Sequence, residues 1–241
     1  MKSIIVSLAG LLSMAGNVCY AQTIIKSVPH TINKSGTYTL SANLQYAGTN
    51  LTVPAITINA SSVTIDFGGH VLNCTNTAVG TKALFLPSSG GKQTNVTIEN
   101  GTITNFTWGV YADGGAGGET FSGIVVQDMR LYASTGVHIN GGTGCTVQRN
   151  LLMTTGAGGS LIDLINSTGA NVVRDNLASG QPTFAVVFSN SATSGNYFDN
   201  NFAINGASGF FLEATDKYRF NITDLCSTPY SGGTALGGAS N

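Results

Sequence analysis

The chain is short of charge. Ten Lys and Arg face 11 Asp and Glu, a formal net charge of −1, and charged residues make up 9% of its 241 residues, where about 25% is usual. Nucleic-acid binding is excluded on that ground, because it needs basic residues in number and in clusters. Proline stops at 5, and the 32 glycines recur without a three-residue period, which excludes collagen. Disorder is excluded by 42% hydrophobic residues carried with almost no net charge. Cysteines number four, with no CxxC spacing to make a zinc site. What is abundant instead is Gly, Asn, Ser and Thr among short apolar runs, the composition of a β protein.

The N-terminus reads as an export leader over residues 1–21. Met1-Lys2 supplies the positive start, Ile4 to Met14 the apolar run, and Cys19-Tyr20-Ala21 a small-x-small cleavage site. The run is too short to cross a bilayer, and no other stretch approaches a membrane span. A secreted or periplasmic location follows as an expectation. Cys74, Cys145 and Cys226 then remain, an odd set that does not form a disulfide framework.

An internal repeat sets the architecture. Apolar-x-apolar runs begin at Ile56, Leu84, Val110, Val137, Ile162, Val186 and Phe210, at spacings of 28, 26, 27, 25, 24 and 24 residues. A second series follows, with Val63-Thr64-Ile65, Val96-Thr97-Ile98 and Phe220-Asn221-Ile222 among its members. Polar corners such as Asp66-Phe67-Gly68-Gly69, Glu99-Asn100-Gly101 and Asp175-Asn176 close that series, and a third short strand usually comes next. Period-two alternation bounded by residues that tolerate left-handed backbone is strand-and-turn grammar. Three strands and three turns in about 25 residues describe one coil of a parallel β-helix. Seven such coils are predicted over residues 51–226, with a cap at 22–50 and a loose Gly/Ser-rich tail at 227–241. The three cysteines fall on separate coils at least roughly 14 Å apart along the axis, too far for any disulfide.

"SSVTIDFGGHVL" (Ser61 to Leu72), "NVTIENGTI", "CTVQRNLLM" and "NYFDNNFAI" together resemble the right-handed parallel β-helix proteins of the pectate-lyase-like superfamily. The resemblance covers about Leu51 to Cys226 and implies the right-handed winding. It also implies an internal asparagine ladder at the second turn, matched by Asn100, Asn150, Asn176 and Asn200. Two departures stand against the superfamily's catalytic members. No acidic Ca²⁺ set lies beside an outward Arg, and neither the paired Asp nor the Gly-His-Gly motif of the pectin hydrolases is present. Asp66 and His70, flanking a Gly-Gly corner, are structural in that light.

Stacked strands align their outward residues into columns. One column is predicted as Thr57, Phe85, Tyr111, His138, Asp163, Val187 and Phe211, and the next contains Asn59, Asp113, Asn140, Ile165, Ser189 and Glu213. Tyr111, His138 and Asp163 on successive coils make the densest titratable cluster in a charge-poor chain. His138 would serve as general base, Asp163 would orient it, Tyr111 would deliver a proton and Asn140 would polarise a carboxylate or carbonyl. Asp113 with Asp163 is the alternative, a carboxylate pair for glycoside hydrolysis. A further candidate is the outward pair Lys217 and Arg219, able to hold an anionic sugar unless Glu213 and Asp216 neutralise it. Trp108, Phe85 and Phe211 are candidate sugar platforms, while most of the late aromatics, Phe184 to Phe220, are predicted to fill the interior.

The sequence therefore reads as an exported protein that binds or modifies extracellular or cell-envelope polysaccharide, of lyase, epimerase or hydrolase type. The alternative is a non-enzymatic structural or adhesive rod. No metal or cofactor is implied.

Overall fold

Runs with a branched aliphatic residue at every second position become strands, and Asn, Asp and Gly at positive φ become the corners that turn one strand into the next. The computed structural model describes residues 22–48, 50–76, 79–114, 120–155, 159–181, 185–191 and 195–237. Among them, one sheet of 23 strands and a small one of three carry nearly all the regular structure, and every pairing is parallel. Strands pair with the third strand onward in sequence, so the chain lays down three faces in rotation. That topology is compatible with a parallel β-helix. The expected leader, residues 1–21, lies outside the described residues.

The first face includes Ile56–Ile58, Lys82–Pro87, Gly159–Ile165, Ala185–Ser191 and Ser208–Phe211. The long strands Val96–Asp113 and Val125–Asn140 run without a break through all three faces and end on the first. Inward residues form continuous apolar columns. On the second face Ile65, Ile98, Val126, Val147, Val173 and Phe198 stack in register, each 0–1% exposed.

The first-face ladder continues beyond the seven predicted strands, to His30–Ile32 before and Thr228–Ser231 after. Residues 22–50, predicted as a cap, place strands on all three faces, each paired with the following repeat. The segment predicted as a loose tail adds Thr228–Ser231 and Thr234–Ala235 in parallel register. Tyr230 is the reason. Its ring stacks on Phe210 at 5.0 Å and Tyr218 at 4.9 Å, and its hydroxyl donates to the Asn221 carbonyl at 2.8 Å.

The internal asparagine ladder is present, but it takes in only two of its four predicted members, Asn150 and Asn176. Asn100 and Asn200 have φ of 61° and 50° and face outward, donating to Asp66 and Asp175. The residue after the left-handed position is the one that turns inward. Asn150, Asn176, Asn201 and Asn221 therefore form the buried ladder, each Nδ2 donating at 2.9–3.0 Å to the Oδ1 of the next. Earlier repeats fill the same corner differently. Met129 occupies it in one, and Phe67 packs there so closely that a Cβ on Gly101 would lie 2.1 Å from it.

Cys74, Cys145 and Cys226 are all free thiols, as their axial separation predicts. Burial pushes the Cys145 thiol up to about 11, whereas Cys226 is half-buried near the C-terminal end. Because the thiolate is the reactive form, Cys226 is expected to react first with Ellman's reagent in the native protein. Cys74 and Cys145 should react only on unfolding, as mass spectrometry of the labelled peptides will show.

Candidate ligand site on the first strand face

Alternation on the first face buries Val110, Ala112, Val137, Ile139, Ile162 and Leu164 and turns the residues between them outward. Thr57, Phe85, Tyr111, His138 and Asp163 pair in one unbroken register, as predicted. Val187 does not continue it. Ser189 pairs with Asp163 and then with Phe211, two residues further on than the even spacing implied. Strand periodicity cannot distinguish a slip of two, since it keeps every side chain on its own face. The Phe188 ring decides the register by stacking on Phe210 at 4.6 Å with the planes 5° apart. The same slip moves Ser189 out of the neighbouring column, where Asp113, Asn140 and Ile165 are in register with Ser191.

His138 points out of the sheet yet is only 5% exposed. Tyr111 covers one ring face, with centroids 4.8 Å apart and planes 15° from parallel, and Trp108 meets it edge-on at 5.3 Å. Its Nδ1 lies 2.8 Å from Asp163 Oδ2. A carboxylate there accepts, so the neutral ring carries its proton on Nδ1 and presents the Nε2 lone pair. Nε2 has no hydrogen-bond partner among the described residues.

Aromatic rings extend the cluster toward the N-terminal end. Phe85 stacks on Tyr111 at 5.8 Å, and Trp108 packs against Tyr111 at 4.6 Å. Lys82 Nζ sits 5.6 Å from the Phe85 centroid and 5.4 Å from that of Tyr111. Alternation alone would send Lys82 inward with Leu84, so the sequence reading missed it. The available signal was the offset: Lys82 precedes Phe85 by the same three residues that separate its register partner Trp108 from Tyr111. Gly109, beside Trp108, permits this arrangement, because a Cβ there would lie 2.5 Å from the Gly136 carbonyl oxygen.

Asp113 and Asn140 flank the cluster. Asn140 Nδ2 donates to Asp113 at 3.3 Å, and Asn166 Nδ2, a further group missed in the sequence, donates to Asn140 Oδ1 at 2.8 Å. Burial first, then the nearby Asp113 carboxylate, pushes Tyr111 above the ordinary tyrosine value, so it stays protonated as a donor. A raised value of this kind contributes stability that is present below the ordinary tyrosine pKa and lost as pH rises through the folded one.

No protein-family model matches this chain, and no curated protein matches it either. Asp113 and Asp163 stand two repeats apart and two residues out of line, about 12 Å between backbones. Each carboxylate is turned to a different partner, Asp113 to Asn140 and Asp163 to His138. The His138–Asp163 pair is the better-formed unit.

Lys217 and Arg219 lie on the second face, away from this cluster. Arg219 forms its ion pair with Asp199 at 3.1 Å and lies 5.4 Å from the Tyr197 and Phe220 ring centroids. Asp216 is not its partner. That carboxylate is fully buried and accepts from the backbone N–H groups of Asn196 and Glu213. Phe211 is 45% exposed on the first face but two repeats beyond Asp163, outside the cluster. Among the described residues, no three His, Cys, Asp or Glu gather as a metal site.

Proposed function

We propose that this chain is an exported right-handed parallel β-helix protein of the pectate-lyase-like superfamily. In this reading it has about seven full coils between flanking strands and uses its first face to hold extracellular or cell-envelope polysaccharide. The observation that carries the reading is the ring platform of Phe85, Tyr111 and Trp108 beside the Lys82 ammonium and the His138–Asp163 pair. Sugar rings present apolar C–H faces and hydroxyl edges, and a part-exposed aromatic wall next to polar groups serves both. Lys82 adds a preference for anionic sugars.

The His138–Asp163 pair supports a second reading, enzymatic modification of the bound polymer. An imidazole oriented by a carboxylate, with Nε2 unengaged, is equipped to take a proton from a sugar carbon, as lyases and epimerases require. Lys82 and Asn140 are placed to stabilise charge developing on an adjacent carboxylate.

A glycan array with the purified protein beside His138→Ala and Trp108→Ala tests both readings. Binding of a defined glycan is expected, weakened at least about tenfold by Trp108→Ala through lost stacking. Turnover of that glycan by wild type but not by His138→Ala would establish the enzyme. An array on which wild type binds nothing defeats both readings and leaves the structural rod.

A further inference from the structure

The three faces differ in what they show to solvent. The second face carries a polar ladder that satisfies itself, with Gln127 bonded to Glu99, Gln148 to Gln127 and Arg174 to Gln148. The third face does not. Its outward column reads Arg130, Leu151, Leu177, Phe202, Ile222, and the column two residues on reads Tyr132, Met153, Ser179, Ile204, Asp224. Met153 is 40% exposed, Leu177 39% and Ile222 52%, and at the last repeat Phe220 and Leu225 widen the apolar surface at both corners. Parallel sheets are ordinarily covered on both sides, and contiguous exposed apolar surface marks an interaction site.

The strip ends in opposite charges. Arg130 stands at the first repeat of the strip and Asp224 at the last, both exposed, and neither side chain makes a hydrogen bond or ion pair among the described residues. Four steps of about 4.8 Å separate the two rows, roughly 19 Å. We propose that this face is a self-association surface, and that a second copy of the chain packs on it in antiparallel sense about a two-fold axis lying roughly along the strands. Reversal of the repeat order sets Arg130 of each copy against Asp224 of the other, with the aliphatic and aromatic side chains between them. A two-fold contact makes the same pair twice, so the one charge asymmetry of the strip is used at both ends. The tilt that brings the pair into line crosses the two sets of strands at a moderate angle, in the manner of aligned sheet packing. The opposite arrangement, with the repeats running the same way, would bring Arg130 over Tyr132 and leave both charges unused. The strip is narrow for a specific interface, so the association is reversible and depends on concentration.

Sedimentation velocity on the purified full chain, from about 10 µM to about 1 mM, tests this without reference to any ligand. Wild type is expected to pass from monomer to dimer across that range. Arg130→Asp and Asp224→Arg, each placing like charges in contact, are expected to weaken the dimer on the order of tenfold or more. The double reversal is expected to restore it, and Leu177→Asp to abolish it, with far-UV spectra unchanged throughout. A wild type that stays monomeric overturns the proposal, as does a double reversal no better than the single ones or a dimer that survives Leu177→Asp.

Discussion

Asn176→Ala is expected to lower stability by about 3–5 kcal/mol. Asn176 Oδ1 accepts from both the backbone N–H and the Nδ2 of Asn150, while its own Nδ2 donates to the Val147 carbonyl and to Asn201 Oδ1. All of these groups lie where water cannot replace the lost partner. Removal of one amide thus strands donors above it and an acceptor beside it, and each unsatisfied buried group costs about 1–3 kcal/mol. The control is sharp. Asn100→Ala and Asn200→Ala remove outward amides whose bonds are solvent-exposed, so they should cost about 1 kcal/mol or less, chiefly from the left-handed backbone they leave to alanine. Urea unfolding of the three variants measures the contrast directly. A midpoint for Asn176→Ala no lower than that of Asn200→Ala would remove the ladder from the account of what holds this fold together.

Asp163→Ala is expected to cost about 2 kcal/mol in the same assay and to abolish binding or turnover at the first face. The His138 ring is nearly enclosed, and Asp163 is the only hydrogen-bond partner it has among the described residues. Alanine leaves Nδ1–H buried and unpaired, and releases the constraint that holds the proton on Nδ1 and the lone pair on Nε2. Asp163→Asn keeps an acceptor in place and should cost about 1 kcal/mol or less, while losing the charge that stabilises a protonated ring. Nitrogen-15 spectra of the imidazole provide a readout separate from stability. The wild type should show the Nδ1–H tautomer and Asp163→Ala a mixture of the two. Full retention of the Nδ1–H form without the carboxylate would mean that Tyr111 and Trp108 packing orients the ring, and that Asp163 plays no part in the site.

How far the sequence carried can be seen at particular residues. Tyr111, His138 and Asp163 were legible because each stands midway in an apolar-x-apolar triplet, and a constant repeat places such midpoints in one column. Val187 failed the same test because the repeat is not constant there, and period two is blind to a slip of two. Asn100 and Asn200 stand outside the ladder because a corner motif shows where the backbone turns but not that the residue after the left-handed position, Gly101 in one case and Asn201 in the other, is the one that turns inward. Lys82 was missed because alternation holds along a strand and weakens at its end. Of the late aromatics, most of which are predicted as core, Phe188, Phe198 and Phe210 are buried and Phe220 is exposed, while Phe211 is exposed as its place in the outward column predicts; Phe184 lies outside the described residues. Hydrophobicity by itself does not decide burial on a strand; the parity of the position decides the face.

The sequence alone determined what depends on local spacing: an all-β chain of short strands, a repeat near 25 residues, outward columns and cysteines too far apart to join. Only the tertiary structure decided what depends on contact between repeats. Ring stacking set the register near the C-terminal end, and the buried amides chose which asparagines enter the ladder. The enclosure of His138 by Tyr111 and Trp108 and the uncovered third face belong to the same class. Each requires knowing which residue lies about 5 Å away on the next strand, and a variable repeat length leaves that undetermined until the strands are laid side by side.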